Sequence, residues 1–162
     1  MKNDRRTYAS PPCFMHEADD AYMGWLTPDE TVERLNRLLE AERAGARGVG
    51  AMGRTVASDA LAALLAEVAG DEARFCGMLS RHIRRLGGRP SRATGSFYSK
   101  LLARPTVAAQ LELLDRGQSW VARELQAMLP RIRDDTLHAD LREMLAVHER
   151  NIERCRLPGE GA

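Results

Sequence analysis

The sequence predicts an all-α protein, a four-helix bundle with a long crossover between the second and third helices and an extended N-terminal strap. Three observations carry this reading. The composition is 44% hydrophobic yet only 5% aromatic, with Ala and Leu dominant, which favours helices over a sandwich or barrel. Four stretches repeat apolar residues at helical spacing and no segment reads as a strand. The connections are unequal: the one between helices three and four is short, and one of about eighteen residues is long enough to run the height of a bundle.

The chain has 162 residues, enough for one domain to bury its own core without disulfides or structural metal. Residues 1–27 form the strap and 28–157 the bundle. Lys plus Arg is 24 against 23 for Asp plus Glu, a net charge of +1, so electrostatics gives no reason to expect nucleic acid or an anionic membrane as partner. The three cysteines, Cys13, Cys76 and Cys155, lack paired spacing. No signal peptide or long apolar run is read in the chain, so a reducing cytoplasm is expected.

The strap is non-periodic, and Pro11-Pro12 holds it extended. Its Phe14, Met15, Tyr22, Met23, Trp25 and Leu26 call for a surface to cover. Helix one opens with Thr27 as N-cap, Pro28 in the first turn and Glu30 completing a capping box, and is expected to run to about Gly48, before the glycine-rich GVGAMGRTVAS. Leu35, Leu39, Ala46 and Val49 share one face, and Glu42 sits in the middle of it while Glu40 points away. Helix two runs from Ser58 to about Leu86. Leu61, Leu65, Val68, Phe75, Leu79 and Ile83 make its stripe, and Glu72 falls about 20° from Leu61, mid-stripe.

Gly87-Gly88, followed by Arg89-Pro90, stops helix two. The long connection carries one short helical piece, SFYSKLLA. Helix three, about Thr106 to Leu129, aligns Val107, Leu114, Val121, Leu125 and Met128, with Gln118 on that face. Pro130 ends it, and Asp134 or Asp135 caps helix four, whose stripe is Leu137, Leu141, Met144, Ile152 and Cys155, flanked by His148 and Asn151.

Each helix therefore has one polar residue near the middle of its apolar face: Glu42, Glu72, Gln118 and His148. In a four-helix bundle such positions meet in one layer, and two carboxylates with an imidazole suit a divalent cation, iron, manganese or zinc. The other reading of the same residues is a metal-free hydrogen-bonded layer, in which one carboxylate is protonated or paired with His148 as imidazolium.

The stretches LNRLLEAERAGARG, VAGDEARFCGMLSRHIRRLGG, LLDRGQSWVARELQAML and LREMLAVHERNIERC resemble the successive helices of the ferritin-like superfamily. More narrowly, and with the SPPCFMHE lead-in, the chain is similar to a bacterial ferritin-like domain family of unknown function. Di-iron members of the superfamily use a Glu from each of two helices and a Glu-x-x-His from each of the other two. The resemblance implies that Glu42 stands for the first Glu, Glu72 for the Glu of a Glu-x-x-His, and His148 for the His of the other. Phe75, Gln118 and Leu145 occupy the remaining ligand places, so the implied metal site is a degenerate one of Glu42, Glu72 and His148. Gln118, Asn151 and the lead-in's Cys13 and His16 form a second tier.

Three functions stay open at this level. The first is a bundle binding one divalent metal, the second a metal-dependent oxidoreductase of the di-iron type, and the third a structural or interaction module that forms a homodimer or docks a partner through the lead-in. No phosphate loop, nucleophile elbow or metalloprotease signature occurs. His82, at the edge of its stripe, reads as an interface histidine, and His138 reads as surface.

Overall fold

The computed structural model describes residues 22–156. Four long helices, α1 (Pro28–Gly53), α2 (Asp59–Arg85), α4 (Val107–Met128) and α5 (Asp135–Arg156), form the bundle, and the short α3 (Phe97–Leu102) lies in the crossover. No strand occurs among the described residues. Residues 1–21, with Cys13, His16 and most of the strap, lie outside the described residues.

Local chemistry sets most of the boundaries. Thr27 accepts from the Glu30 amide while the Glu30 carboxylate accepts from the Thr27 amide, closing the capping box. Ser58, Thr106 and Asp134 accept from the amides of Leu61, Ala109 and Leu137 at the starts of α2, α4 and α5. Gly87 takes φ +81° at the end of α2, a conformation that residues with a Cβ rarely adopt, and lets the Gly88 amide reach back to the Ile83 carbonyl.

One boundary differs from the expectation. The glycine-rich GVGAMG continues α1 to Gly53. Each mid-helix glycine costs about 1 kcal/mol relative to alanine, but the extra turn buries Val49 and Met52 completely, and such burial is worth roughly 1.5–3 kcal/mol per side chain. The inward faces also differ in detail. Val107, in the first turn of α4, is exposed, Ala46 and Ile152 are only half-buried, and Leu38 and Val147 take buried places. Of the described strap residues, Leu26 is buried and its amide donates to the Arg131 carbonyl. Tyr22 and Met23 are exposed rather than laid against the bundle.

The main packing pairs are α1 with α2 and α4 with α5, while α1 also touches α4 and α2 touches α5, so α2 and α4 sit on a diagonal. Ion pairs fix the directions. His82 and Arg85, at the end of α2, meet Asp140 and Asp134 near the start of α5, and Glu67 near the start of α2 meets Arg154 at the end of α5. Arg156 likewise meets Asp115, so α5 is antiparallel to both α2 and α4. Those two are therefore parallel, as the long crossover requires.

The core is split. One apolar cluster includes Leu35, Leu39, Phe75, Leu79, Leu125, Leu141 and Met144. The other, smaller, includes Val49, Met52, Leu65, Val68, Leu114 and Cys155. Along every long helix the polar mid-helix residues fall between the two.

Candidate metal centre

Glu42, Glu72, Gln118 and His148 are 1%, 3%, 4% and 1% exposed, and Asn151 is 2% exposed. All five lie on inward faces, where the apolar residues around them set the helix rotation. His148 and Asn151 are three residues apart on α5 and so share a face.

The residues are linked in pairs. His148 Nε2 lies 3.0 Å from Glu42 Oε1, and His148 Nδ1 donates to the Met144 carbonyl at 3.0 Å. Gln118 Nε2 donates to Glu72 Oε1, and Asn151 Nδ2 donates to Asp71 Oδ2 at 3.1 Å. The Phe75 ring stands where the resemblance would place a ligand histidine, and packs on His148 with centroids 5.7 Å apart and a tilt of 37°. Burial works against a charged imidazole, yet the charge and hydrogen bond of Glu42, with the Met144 carbonyl, outweigh it and raise the His148 pKa. Glu72 has no such partner. Burial, and then the nearby Glu42 charge, push its carboxyl well above the usual range, against the lowering effect of Gln118.

Gly45 explains how Glu72 fits. It lies one turn beyond Glu42, and a Cβ there would come within 2.6 Å of Glu72 Oε1 and 2.8 Å of Oε2. The bare α1 backbone is the seat of the carboxylate.

The donor set gives a mixed answer on a metal. Glu42 Oε2, Glu72 Oε2, Gln118 Oε1 and Asn151 Oδ1 are buried and have no hydrogen-bond partner among the described residues. Buried acceptor oxygens without donors are what a hard or borderline cation satisfies. The Nδ1–H bond to Met144 directs a lone pair of neutral His148 through Nε2, the arrangement of a ligating imidazole. Against this, no group of three or more His, Cys, Asp or Glu side chains among the described residues is assembled to hold an ion. His148 is turned to Glu42, and the Glu72 carboxylate to Gln118.

A cleft of about 510 Å³ between α1, α3 and α4 has Glu42, Gly45, Glu72 and Gln118 in its wall. Asp71, Gly45 and this cleft were not anticipated from the sequence. The available signals were the Asp71-Glu72 pair and a mid-helix glycine three residues past Glu42 on the same face. His82, expected at an interface, is buried between α2 and α5, with Nε2 2.6 Å from Asp140 Oδ2 and Nδ1 3.0 Å from Arg85 Nη2. His138 is half-buried. Burial raises the thiols of Cys76 and Cys155 to about 11, so both are inert at neutral pH. No helix among the described residues is long and apolar enough to cross a membrane.

No curated protein matches the chain significantly. Among solved structures it is similar to one titled as a ferritin-like, diiron-carboxylate protein from Bacillus anthracis str. Ames, with a TM-score of 0.72 and 18% identity over 80% of this chain and 94% of that one. At that identity the likeness speaks to the fold, an all-α ferritin-like bundle. Residues 29–157 match the family described as a domain of unknown function, DUF6306, and the chain belongs to that family.

Proposed function

We propose that the polar layer binds one divalent cation, iron, manganese or zinc, as a mononuclear remnant of a di-iron carboxylate site. The observation that carries this is the set of four buried, partnerless oxygens on Glu42, Glu72, Gln118 and Asn151. Glu42 and Glu72 would supply charge, the two amide oxygens neutral donors, and His148 its Nε2 on release from Glu42. A cation there would neutralise the carboxylate pair and, if redox-active, supply one-electron chemistry. The protein's own part is to seat Glu72 on Gly45, to orient the imidazole through Met144, and to keep the layer between two dry clusters.

A metal-free layer is the second reading, favoured by the Glu42–His148 and Gln118–Glu72 hydrogen bonds, which engage the candidate ligands with one another. Metal analysis of protein purified without chelator and then exposed to Fe²⁺, Mn²⁺ or Zn²⁺ separates the two. The expected outcome is about one ion per chain with a raised thermal midpoint, both lost in Glu72→Ala. No stoichiometric ion in the wild-type chain would leave the metal-free layer as the answer.

A further inference from the structure

The cleft between α1, α3 and α4 is ordered by charge. Arg37 and Lys100, both exposed, are in its outer wall, the apolar Phe97, Leu114, Trp120 and Val121 line its body, and the buried Glu42, Glu72 and Gln118 form its floor. Arg37 is only loosely engaged, with its guanidinium 5.9 Å from the Trp120 ring centroid and 3.8 Å from the Glu124 carboxylate. Glu40, also in the wall, already accepts from Ser91 Oγ at 2.5 Å.

We propose that this cleft binds a small linear ω-aminocarboxylate, with its primary ammonium on the floor and its carboxylate at the mouth. The proposal rests on the polar layer being a cation site, since the ammonium uses the same oxygens that a metal ion would. A primary ammonium has three N–H donors and no acceptor. The floor residues offer three acceptor oxygens without donors, Glu42 Oε2, Glu72 Oε2 and Gln118 Oε1. All three belong to residues that line the cleft. The positive charge of the ammonium sits against the floor carboxyl of Glu72, whose hydrogen-bond partner is the Gln118 amide. The methylenes pack on Phe97 and Trp120, and the carboxylate reaches Arg37 and Lys100. A purely apolar ligand would leave the floor oxygens partnerless, and a simple amine would leave the two cations at the mouth unused.

The test is titration calorimetry on the full chain after chelator treatment, with 4-aminobutanoate, 6-aminohexanoate and 8-aminooctanoate, each against the carboxylate and the amine of matched length. For the best-fitting length, the amino acid is expected to bind about tenfold or more tightly than either counterpart, the worth of one charge-assisted hydrogen bond. Glu72→Gln is expected to erase the advantage over the plain carboxylate. Lys100→Ala, at an exposed position of α3, is expected to reduce the advantage over the plain amine. Equal affinities within every matched set, or no binding at millimolar ligand, would overturn the proposal. Metal content of the same preparation keeps the two questions apart: ion uptake without amino-acid binding sinks only this proposal, whereas binding without ion uptake removes only the metal reading.

Discussion

Glu72 is the residue on which the chemistry of the layer turns, because its carboxyl is buried and has an amide rather than a cation as partner. The groups facing it are Glu42 from α1, Asp71 on its own helix, Gln118 from α4 and, through Glu42, His148 from α5. In the unfolded chain it ionises near 4.5, and in the folded chain well above that. Between the two values the folded state holds the extra proton, so metal-free protein is expected to lose stability as pH rises above 4.5 through the folded value. Urea midpoints of wild type and Glu72→Gln across that window check this: the wild type should decline relative to the variant, and parallel profiles would contradict it. Gly45 offers a second test. Gly45→Ala favours the helix by about 1 kcal/mol, yet its methyl takes the seat of the Glu72 carboxylate. Helical content should be unchanged by circular dichroism while ion uptake falls to the level of Glu72→Ala. At this scale the sequence was legible where a polar residue interrupted an apolar stripe, as with Glu42, Glu72, Gln118 and His148. Periodicity says which way a side chain faces but not what it meets, so the pairing of Asn151 with Asp71 was not legible, and a carboxylate partner for His148 was legible without saying that it would be Glu42 rather than Glu72.

The helices were read largely correctly because their ends carry specific chemistry, a capping box at Thr27 and a left-handed glycine at Gly87. The extension of α1 through GVGAMG was missed for the converse reason. Glycine lowers helical propensity locally, but the burial of Val49 and Met52 is a tertiary gain invisible in a window of sequence. The start of α5 gives a sharp test of capping. Asp134 accepts from the Leu137 amide at 2.8 Å and from Arg85 Nη1 at 2.6 Å. The Arg85 hydrogen bond first, and the Leu137 amide second, lower its pKa from 3.8 to about 2. Its contribution is therefore present above pH 3.8 and lost as pH falls through about 2. Asp134→Ala should cost about 1 kcal/mol near neutrality, measured by urea unfolding, with the gap to wild type narrowing over that acid window. A gap independent of pH would mean that the charge contributes nothing.

For the whole molecule, parallel α2 and α4 follow from one long crossover, and that much was legible from connection lengths alone. The division of the interior into two apolar clusters was legible only in part. Four mid-helix polar residues implied a layer, but not that apolar packing on its two sides would form separate clusters, because that depends on which helices touch across the bundle. Nor did the stripes foretell the cleft, since its wall combines α1 and α4 with Phe97 from the crossover.

The divided interior bears on how the bundle breathes. Side chains on either side of the polar layer support one another within their own half, and the layer between them offers hydrogen bonds that water can replace. The half around Val49, Met52, Leu65 and Leu114 is the smaller one and contains Cys155 near the C-terminal end of α5. It should open as a unit without unfolding the other half. In native-state hydrogen exchange, amides of α1 beyond Gly45 and of α2 before Glu72 are expected to report a lower opening free energy, and a weaker dependence on denaturant, than those around Leu39, Leu79 and Leu141. A single opening energy throughout would show that the layer joins the halves instead of separating them.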